Sequence, residues 1–195
     1  MSSKRRSAKT REEILDSAWD MIAAQGADVS ISDIAQAVGI SRQAVYLHFG
    51  TRGGLLMALV KRADERFTIR EDFFAALNLP SPAERLDTCL QIWLAFVPKI
   101  LPVAKDLIRL RATDPDAAAA WEDRMSDLRS WLRQLVESLQ IEEALAASWT
   151  IEEATDYLWV AASVQVWDLL VVERNWQPER SEAVLRAAIA KLLLK

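Results

Sequence analysis

The sequence predicts an all-α protein of about nine helices. Helix-start signals and apolar residues at helical spacing recur along most of the 195 residues. The chain has only 5 Gly and 6 Pro, which is few for the tight turns of an all-β protein. No convincing strand pattern interrupts the helical one.

Capping signals predict four helices in the first part of the chain. A Ser or Thr followed three residues later by an acid is a capping box, in which two side chains accept backbone N–H groups of the helix start. Thr10 and Ser30 open helices in this way, whereas Ser41 and Thr51 are simple caps. The predicted spans are Thr10 to Gly26, Ser30 to Val38, Ser41 to His48 and Thr51 to Leu77.

Proline at a first helical position and further caps predict five helices in the rest of the chain. Pro98 and Pro102 are expected to bracket a bend, because an internal proline removes a helical hydrogen bond. The predicted spans are Pro82 to Val97, 103–112, Pro115 to Leu139, Thr150 to Arg174 and Pro178 to Leu194.

Charge is distributed unevenly along the chain. Residues 1–70 hold 11 Lys and Arg against 8 Asp and Glu, whereas residues 71–195 hold 13 against 20. The whole chain is acidic, with a net charge of −4. This asymmetry suggests that the basic N-terminal part faces a polyanion.

Composition disfavours several functional classes. The single cysteine, Cys89, excludes an internal disulfide or a cysteine zinc cluster and is interpreted as an inert core thiol rather than a redox sensor. One histidine, His48, does not allow a Ser/His/Asp set near a basic surface, and no phosphate loop or metal spacing is present. We therefore expect no enzyme activity, no catalytic residues, no metal and no cofactor. A cytoplasmic protein without a signal peptide or membrane contact is expected.

Residues 30–49 fit a helix-turn-helix, with the turn at Gly39. Ala35 is small enough for the two helices to cross closely. The second helix would project into the major groove of DNA, which is about 12 Å wide. Arg42 and Gln43 lie early on its outer side, where Arg suits guanine and Gln suits adenine. The alternative is a plain helical hairpin inside an all-α bundle.

Two features beside this motif are further candidates for DNA contact. The basic arm before the first helix is interpreted as reaching phosphates or the minor groove, with a solubilising tail as the alternative. His48 is interpreted either as a phosphate contact or as a packing or capping residue between the third and fourth helices.

The string Tyr-x-His-Phe-x-Thr-Arg-x-x-Leu begins at Tyr46. It occurs together with Ile14-Leu15, Ala18, Gly26, Ile34-Ala35, Gly39-Ile40-Ser41 and Leu55-Leu56. In these residues, over about residues 10–60, the chain resembles the tetracycline-repressor (TetR) family of bacterial transcription regulators, and the string is the most specific part of the resemblance. The resemblance implies that Tyr46 and Arg52 touch phosphates. With these two, the predicted DNA-contacting residues are Lys4, Arg5, Arg6, Lys9, Ser30, Ser41, Arg42, Gln43, Tyr46, His48 and Arg52.

One position departs from the family pattern. Gly53 and Gly54 follow Arg52, where the family usually has an acidic residue. Glycine in a helix is about 1 kcal/mol less favourable than alanine. We therefore expect a loosely held start of the fourth helix in the absence of DNA.

The resemblance further implies a homodimer whose all-α C-terminal domain binds a small effector. The predicted division is a flexible basic arm over 1–9, a DNA-binding domain over 10–52, a connecting helix over 53–77 and an effector-binding and dimerisation domain over 78–195.

Seven of the eight tryptophans lie beyond residue 90. Large rings on several helices either line an apolar cavity or simply form the core. If they line a cavity, the candidate effector contacts are Trp93, Phe96, Trp121, Met125, Trp159 and Gln165.

The last two predicted helices carry apolar residues on more than one side. Such helices meet more than one partner, which predicts a four-helix dimer interface, with a deeply buried monomer core as the alternative. The candidate interface residues are Val160, Val164, Trp167, Val171, Leu185 and Ile189.

These features together predict a ligand-responsive transcription regulator, usually a repressor. It would bind a palindromic operator in double-stranded DNA as a homodimer and respond to a small apolar or amphipathic effector. The alternative is a helical carrier of apolar ligands without a regulatory role, which would explain the tryptophans but not the helix-turn-helix.

Overall fold

The structure, a computed structural model, describes residues 2–25 and 29–195, with side chains for 10–25, 29–63 and 66–195. The prediction of an all-α fold is confirmed, and the described part of the chain adds only an isolated antiparallel bridge between Leu145 and Leu194. The helices are α1 Ser2–Gln25, α2 Ile31–Val38, α3 Arg42–Phe49, α4 Arg52–Phe67, α5 Ile69–Ala76, α6 Pro82–Leu110, α7 Pro115–Ile141, α8 Ile151–Ala161, α9 Val164–Trp167 and α10 Pro178–Leu193. A π-helical segment, Asp168–Glu173, continues α9.

Two predicted helices are each interrupted. The span from Thr51 to Leu77 divides into α4 and α5 at Thr68, whose φ of +47° lies in the left-handed region. The span from Thr150 to Arg174 divides at Ser163, whose hydroxyl oxygen accepts the N–H of Val166 and begins a new helix. Apolar spacing is the same on both sides of each break, so it did not reveal them.

Two other helices, α1 and α6, are longer than predicted. α1 begins at Ser2 rather than Thr10, so the backbone of residues 2–9 is helical. α6 continues through Pro98 and Pro102 to Leu110, so the predicted division into two helices at this point is wrong. Leu94, Val97, Leu101 and Val103 are buried around the prolines, and this packing outweighs the lost hydrogen bonds.

The chain forms two compact units. The first comprises Met1–Arg66 and Lys99–Asp123, and the second comprises Phe67–Pro98 and Arg124–Lys195. The first unit thus includes the end of α6 and the start of α7, which the sequence-based division assigned to its C-terminal domain. The functional division itself stays a prediction.

The core of the first unit places α2 against both α1 and α3. The buried side chains come from every helix of the unit and include Ile14 and Ile22 of α1, Ile34 and Ala35 of α2, Val45 of α3, Leu55, Leu56 and Leu59 of α4, and Leu107 of α6. This packing fixes α3 by its inner side and leaves its outer side exposed.

The second unit has its own core, centred on Phe73 and the ring of Trp131, whose centroids are 5.7 Å apart. Cys89 is buried here and donates its S–H to the carbonyl oxygen of Phe73 at 3.7 Å. Burial raises the pKa of its thiol to about 12, which keeps it protonated and fits the predicted inert core thiol.

α6 is also long and apolar enough to cross a membrane by length and composition alone. The core helix of a soluble protein meets the same two criteria, so this property does not identify a membrane segment.

Candidate nucleic-acid interface

Local capping fixes the helix-turn-helix of the first unit. Ser30 and Asp33 form the predicted capping box, and the hydrogen bonds from Ser30 lower the pKa of the Asp33 carboxyl. Gly39 ends α2 with a φ of +74°, a backbone conformation that residues with a side chain rarely adopt. Ser41 then starts α3 by accepting the N–H of Ala44 at 3.1 Å. Ser30 and Ser41, both predicted to contact DNA, therefore serve first as helix caps.

The outer side of α3 presents polar groups to solvent. Arg42 and Gln43 are both exposed, as the prediction of base contacts requires. Arg42 donates from Nη2 to the Tyr46 hydroxyl at 3.1 Å, and its guanidinium carbon lies 5.4 Å from the centre of the Tyr46 ring. The arginine is thereby held along the helix surface next to the half-buried tyrosine.

Leu47 also lies on this outer side and is 83% exposed. Sequence analysis did not select it, although a signal was present. Val45 and Phe49 are the apolar residues that face the core, and Leu47 is out of phase with both. We define the outer face of α3 as Arg42, Gln43, Tyr46 and Leu47.

His48 is half-buried at the end of α3. Its ring centroid lies 6.1 Å from that of Phe49. The guanidinium carbon of Arg11 lies 5.0 Å from the centroid of the same Phe49 ring. Both interpretations of His48, phosphate contact and packing residue, stay open as predictions.

Arg52 faces inward rather than toward the outer face. It binds the Asp106 carboxylate through two nitrogens, with Nε at 2.8 Å, and donates from Nη1 to the carbonyl oxygen of Val29 at 2.5 Å. Asp106 is fully buried and also binds Arg109 at 2.5 Å. The interpretation of Arg52 as a phosphate contact stays a prediction, and the use of its charge inside the first unit argues against it.

Gly53 and Gly54 allow the start of α4 to approach other backbone closely. A Cβ on Gly53 would overlap the backbone nitrogen of Ala117 and lie 2.6 Å from an Asp114 carboxylate oxygen, and one on Gly54 would overlap the carbonyl oxygen of Phe49. The expected looseness of this helix start stays a prediction, and the close contacts that the two glycines permit argue against it.

Asp114 joins the starts of two helices. Its Oδ2 accepts the N–H of Gly53 at 3.0 Å, and its Oδ1 accepts the N–H of Asp116 at 2.9 Å and of Ala117 at 3.2 Å. One carboxylate thus satisfies N–H groups of both α4 and α7. Thr51 adds a hydroxyl donor to Asp116 at 2.6 Å.

Comparison with known proteins agrees with this arrangement. Residues 14–59, from α1 into α4, match the model of the bacterial regulatory proteins of the tetR family. The predicted resemblance to the TetR family is therefore confirmed over this segment.

Two curated relatives from Mycobacterium tuberculosis support the assignment. The HTH-type transcriptional repressor Rv1474c is 28% identical over 62% of this chain and 61% of its own length. The HTH-type transcriptional regulator AlkX is 37% identical over 30% of this chain and 28% of its own length. The chain thus spans less than two thirds of the length of either relative.

A solved structure extends the likeness of fold to nearly the whole chain. The crystal structure of a putative transcriptional regulator from Saccharomonospora viridis, in complex with choline, has a TM-score of 0.77 and 17% identity. The match covers 96% of this chain and 99% of that protein.

The remaining predicted DNA contacts of this chain are the four basic side chains before Thr10. Lys4, Arg5, Arg6 and Lys9 lie outside the residues whose side chains are described. The helical backbone of residues 2–9 replaces the predicted irregular arm.

The predicted effector contacts are divided between the two units. Trp121 belongs to the first unit, where Arg111 lies 5.5 Å from its ring, and the other five belong to the second. Trp93 donates its indole N–H to the carbonyl oxygen of Ala162 at 2.7 Å and packs with Phe96, so these two are core residues. Met125 and Trp159 are half-buried, and Gln165 is exposed.

The predicted interface residues also separate into two groups. Val164, Trp167 and Ile189 are buried within one chain, so the structure corrects their assignment to a partner-facing surface. Val171 and Leu185 are half-buried, and Val160 is 54% exposed. Exposed apolar residues that sequence analysis missed are Leu169, Val172 and Leu192.

Proposed function

We propose that this tetR-family regulator binds operator DNA through the outer face of α3 and represses transcription. The observation that carries the proposal is a short, capped and exposed helix that presents Arg42 and Gln43 in a helix-turn-helix. Both side chains have the hydrogen-bonding groups that read base edges in the major groove.

The distribution of charge supports the same proposal. The segment up to residue 70 carries an excess of basic residues, while the rest of the chain is acidic. The acidic residues beyond position 70 repel the phosphates of DNA. The basic segment before that position is therefore the part of the chain that can lie close to them.

Binding to genomic DNA fragments tests the proposal. The purified protein should enrich a small set of fragments, and its affinity for these should fall as salt rises, by about 0.9 in log–log slope per phosphate contact. A chain that lacks residues 1–9 should bind with a shallower slope if the basic arm touches DNA. Equal binding to all fragments would contradict operator recognition and would favour the carrier of apolar ligands.

Homodimerisation is the second part of the proposal. A palindromic operator requires two copies of α3, and the second unit exposes Val160, Leu169, Val172 and Leu192. Replacing Leu169 with Arg should give a folded monomer, because the change places a charge in the interface without altering the core. A wild-type chain that sediments as a monomer at micromolar concentration would contradict the dimer.

An effector in the second unit is the third part. The buried indole Nε1 of Trp159 has no hydrogen-bond acceptor among the described residues, although buried indole N–H groups usually find one. A small amphipathic molecule with an acceptor group would satisfy it. The choline bound to the S. viridis regulator adds quaternary ammonium compounds to those worth testing, because aromatic rings bind such cations.

Linkage provides the test of the effector. The effector should quench Trp fluorescence in the wild-type chain and should quench it less in Trp159→Phe. Binding of this molecule should change the affinity of the protein for operator by a certain factor. Operator should change the affinity of the protein for the molecule by the same factor. Binding that is identical with and without operator would show a site without regulation.

A further inference from the structure

The most exposed large apolar side chain on the first unit lies on the helix proposed to enter DNA. Leu47 is 83% exposed, whereas Val45 and Phe49 on the same helix are at most 9% exposed. Fully burying a leucine is among the larger apolar gains available to a side chain, and Leu47 forgoes this gain in the free chain.

The position of Leu47 on α3 relates it to Gln43. The two residues are four positions apart, so they lie one above the other on the same side of the helix. They are separated by about 6 Å along the helix axis, since each residue rises about 1.5 Å. The outer face of α3 therefore presents the carboxamide of Gln43 and, one turn later, the isobutyl group of Leu47. The first can form hydrogen bonds with a base edge, and the second can contact an apolar group of a base.

Those features are found together in the major groove of A·T pairs. Adenine offers an acceptor and a donor that a glutamine bonds in bidentate fashion, and thymine offers a C5-methyl group. Apolar side chains contact that methyl group, and no other base carries one. The phosphates, in contrast, require charge or hydrogen-bond donors, which a leucine lacks.

We propose that Leu47 contacts the C5-methyl group of a thymine in each operator half-site, one turn from the base read by Gln43. The proposal rests on the proposed function and adds a specificity-determining residue to it. It requires each half-site to contain an A·T pair at this point.

Deoxyuridine substitution tests this contact directly, because it removes the methyl group and leaves base pairing intact. The probe is the duplex that the wild-type chain selects from genomic fragments, with each thymine replaced in turn by deoxyuridine. Wild-type affinity should fall about fourfold at one thymine of each half-site, the factor that corresponds to about 0.8 kcal/mol per buried CH₂-sized group. Leu47→Ala should bind the thymine duplex more weakly by at least that factor and should lose nothing further at that deoxyuridine.

Ile141→Ala is the matched control. Ile141 is 81% exposed, close to the 83% of Leu47. It ends α7 in the second unit, so its replacement should not affect DNA affinity. Both variants replace exposed side chains, so their thermal unfolding should coincide with that of the wild type.

The other outcomes overturn the contact in distinguishable ways. If Leu47→Ala weakens binding to all duplexes equally and every deoxyuridine is neutral, the leucine packs on the sugar-phosphate backbone. If Leu47→Ala changes self-association and not DNA affinity, the leucine meets a second copy of the chain. If the wild type shows no salt-dependent, sequence-specific binding at all, the proposed function fails and the contact fails with it.

Discussion

Two neighbouring segments of the first unit use their polar residues in opposite ways. On the outer face of α3, Arg42 and Gln43 are exposed, and Arg42 is held by Tyr46 of the same helix. At the start of α4, Arg52 is bound to the buried Asp106, and Gly53 donates to Asp114. The first group is available to a ligand, whereas the second is used to hold the unit together.

The difference teaches that a family motif does not assign one role to all of its residues. The string from Tyr46 to Leu55 contains both Leu47, which is exposed, and Arg52, which is bound to the buried Asp106. A basic residue in such a string contacts phosphate only if its charge is not already used within the chain. Burial and bonding therefore decide between the two roles.

Arg52→Ala should have the largest effect on this comparison. Removing the guanidinium takes both Arg52 nitrogens from the Oδ2 atom of the fully buried Asp106, and breaking a buried pair costs about 3–5 kcal/mol of unfolding free energy. Urea unfolding monitored by circular dichroism measures the loss.

The same variant also tests whether Arg52 contacts DNA. At a temperature at which the variant is folded, its salt dependence for operator should equal that of the wild type. A slope shallower by about 0.9 would show that Arg52 neutralises a phosphate after all.

Gly53→Ala should have the next largest effect. Helix propensity alone predicts stabilisation by about 1 kcal/mol, but the new Cβ would overlap the backbone of Ala117. We expect a net destabilisation of about 1–3 kcal/mol, the usual range for overpacking. Ser126→Ala, on an exposed position of α7, is the control and should stay within about 0.5 kcal/mol of the wild type. A stabilised Gly53→Ala would mean that α4 starts loosely, as the sequence predicted.

The sequence predicted the local part of this architecture correctly. Ser30, Gly39 and Ser41 define the ends of α2 and α3 through hydrogen bonds and dihedral angles within a few residues. Such interactions depend on residue type at fixed spacing, so a single sequence contains the information. The all-α class followed for the same reason.

The remaining features depend on contacts between distant positions. Arg52 and Asp106 are 54 positions apart, and Gly53 and Asp114 are 61 apart. Periodicity along one helix contains no information about which partner a charge will meet. The same limit explains why Val164 and Trp167 were assigned to a dimer interface, although each packs inside its own chain.

Gln43→Ala should leave stability unchanged and alter recognition. Its side chain is exposed, so its loss affects only the discrimination between bases, by about 1–3 kcal/mol at one position of each half-site. Tyr46→Phe, in contrast, should weaken all duplexes about equally, since a hydroxyl that binds phosphate reads no sequence. Selection from a randomised duplex pool measures both variants. A preference altered by Tyr46→Phe and not by Gln43→Ala would reverse the two roles.

Arg109→Ala should have the smallest effect, although Arg109 binds the same carboxylate as Arg52. Its side chain is 59% exposed, against 17% for Arg52, so water already screens its charge and replaces it when it is removed. Asp106 would keep the two hydrogen bonds from Arg52 to its Oδ2 atom, so no buried charge is left without a partner. We expect a loss of about 0–1 kcal/mol in urea unfolding, as for other exposed ion pairs. A loss as large as that of Arg52→Ala would show that Asp106 needs both arginines, and the contrast between an exposed and a buried use of charge would then not hold within this cluster.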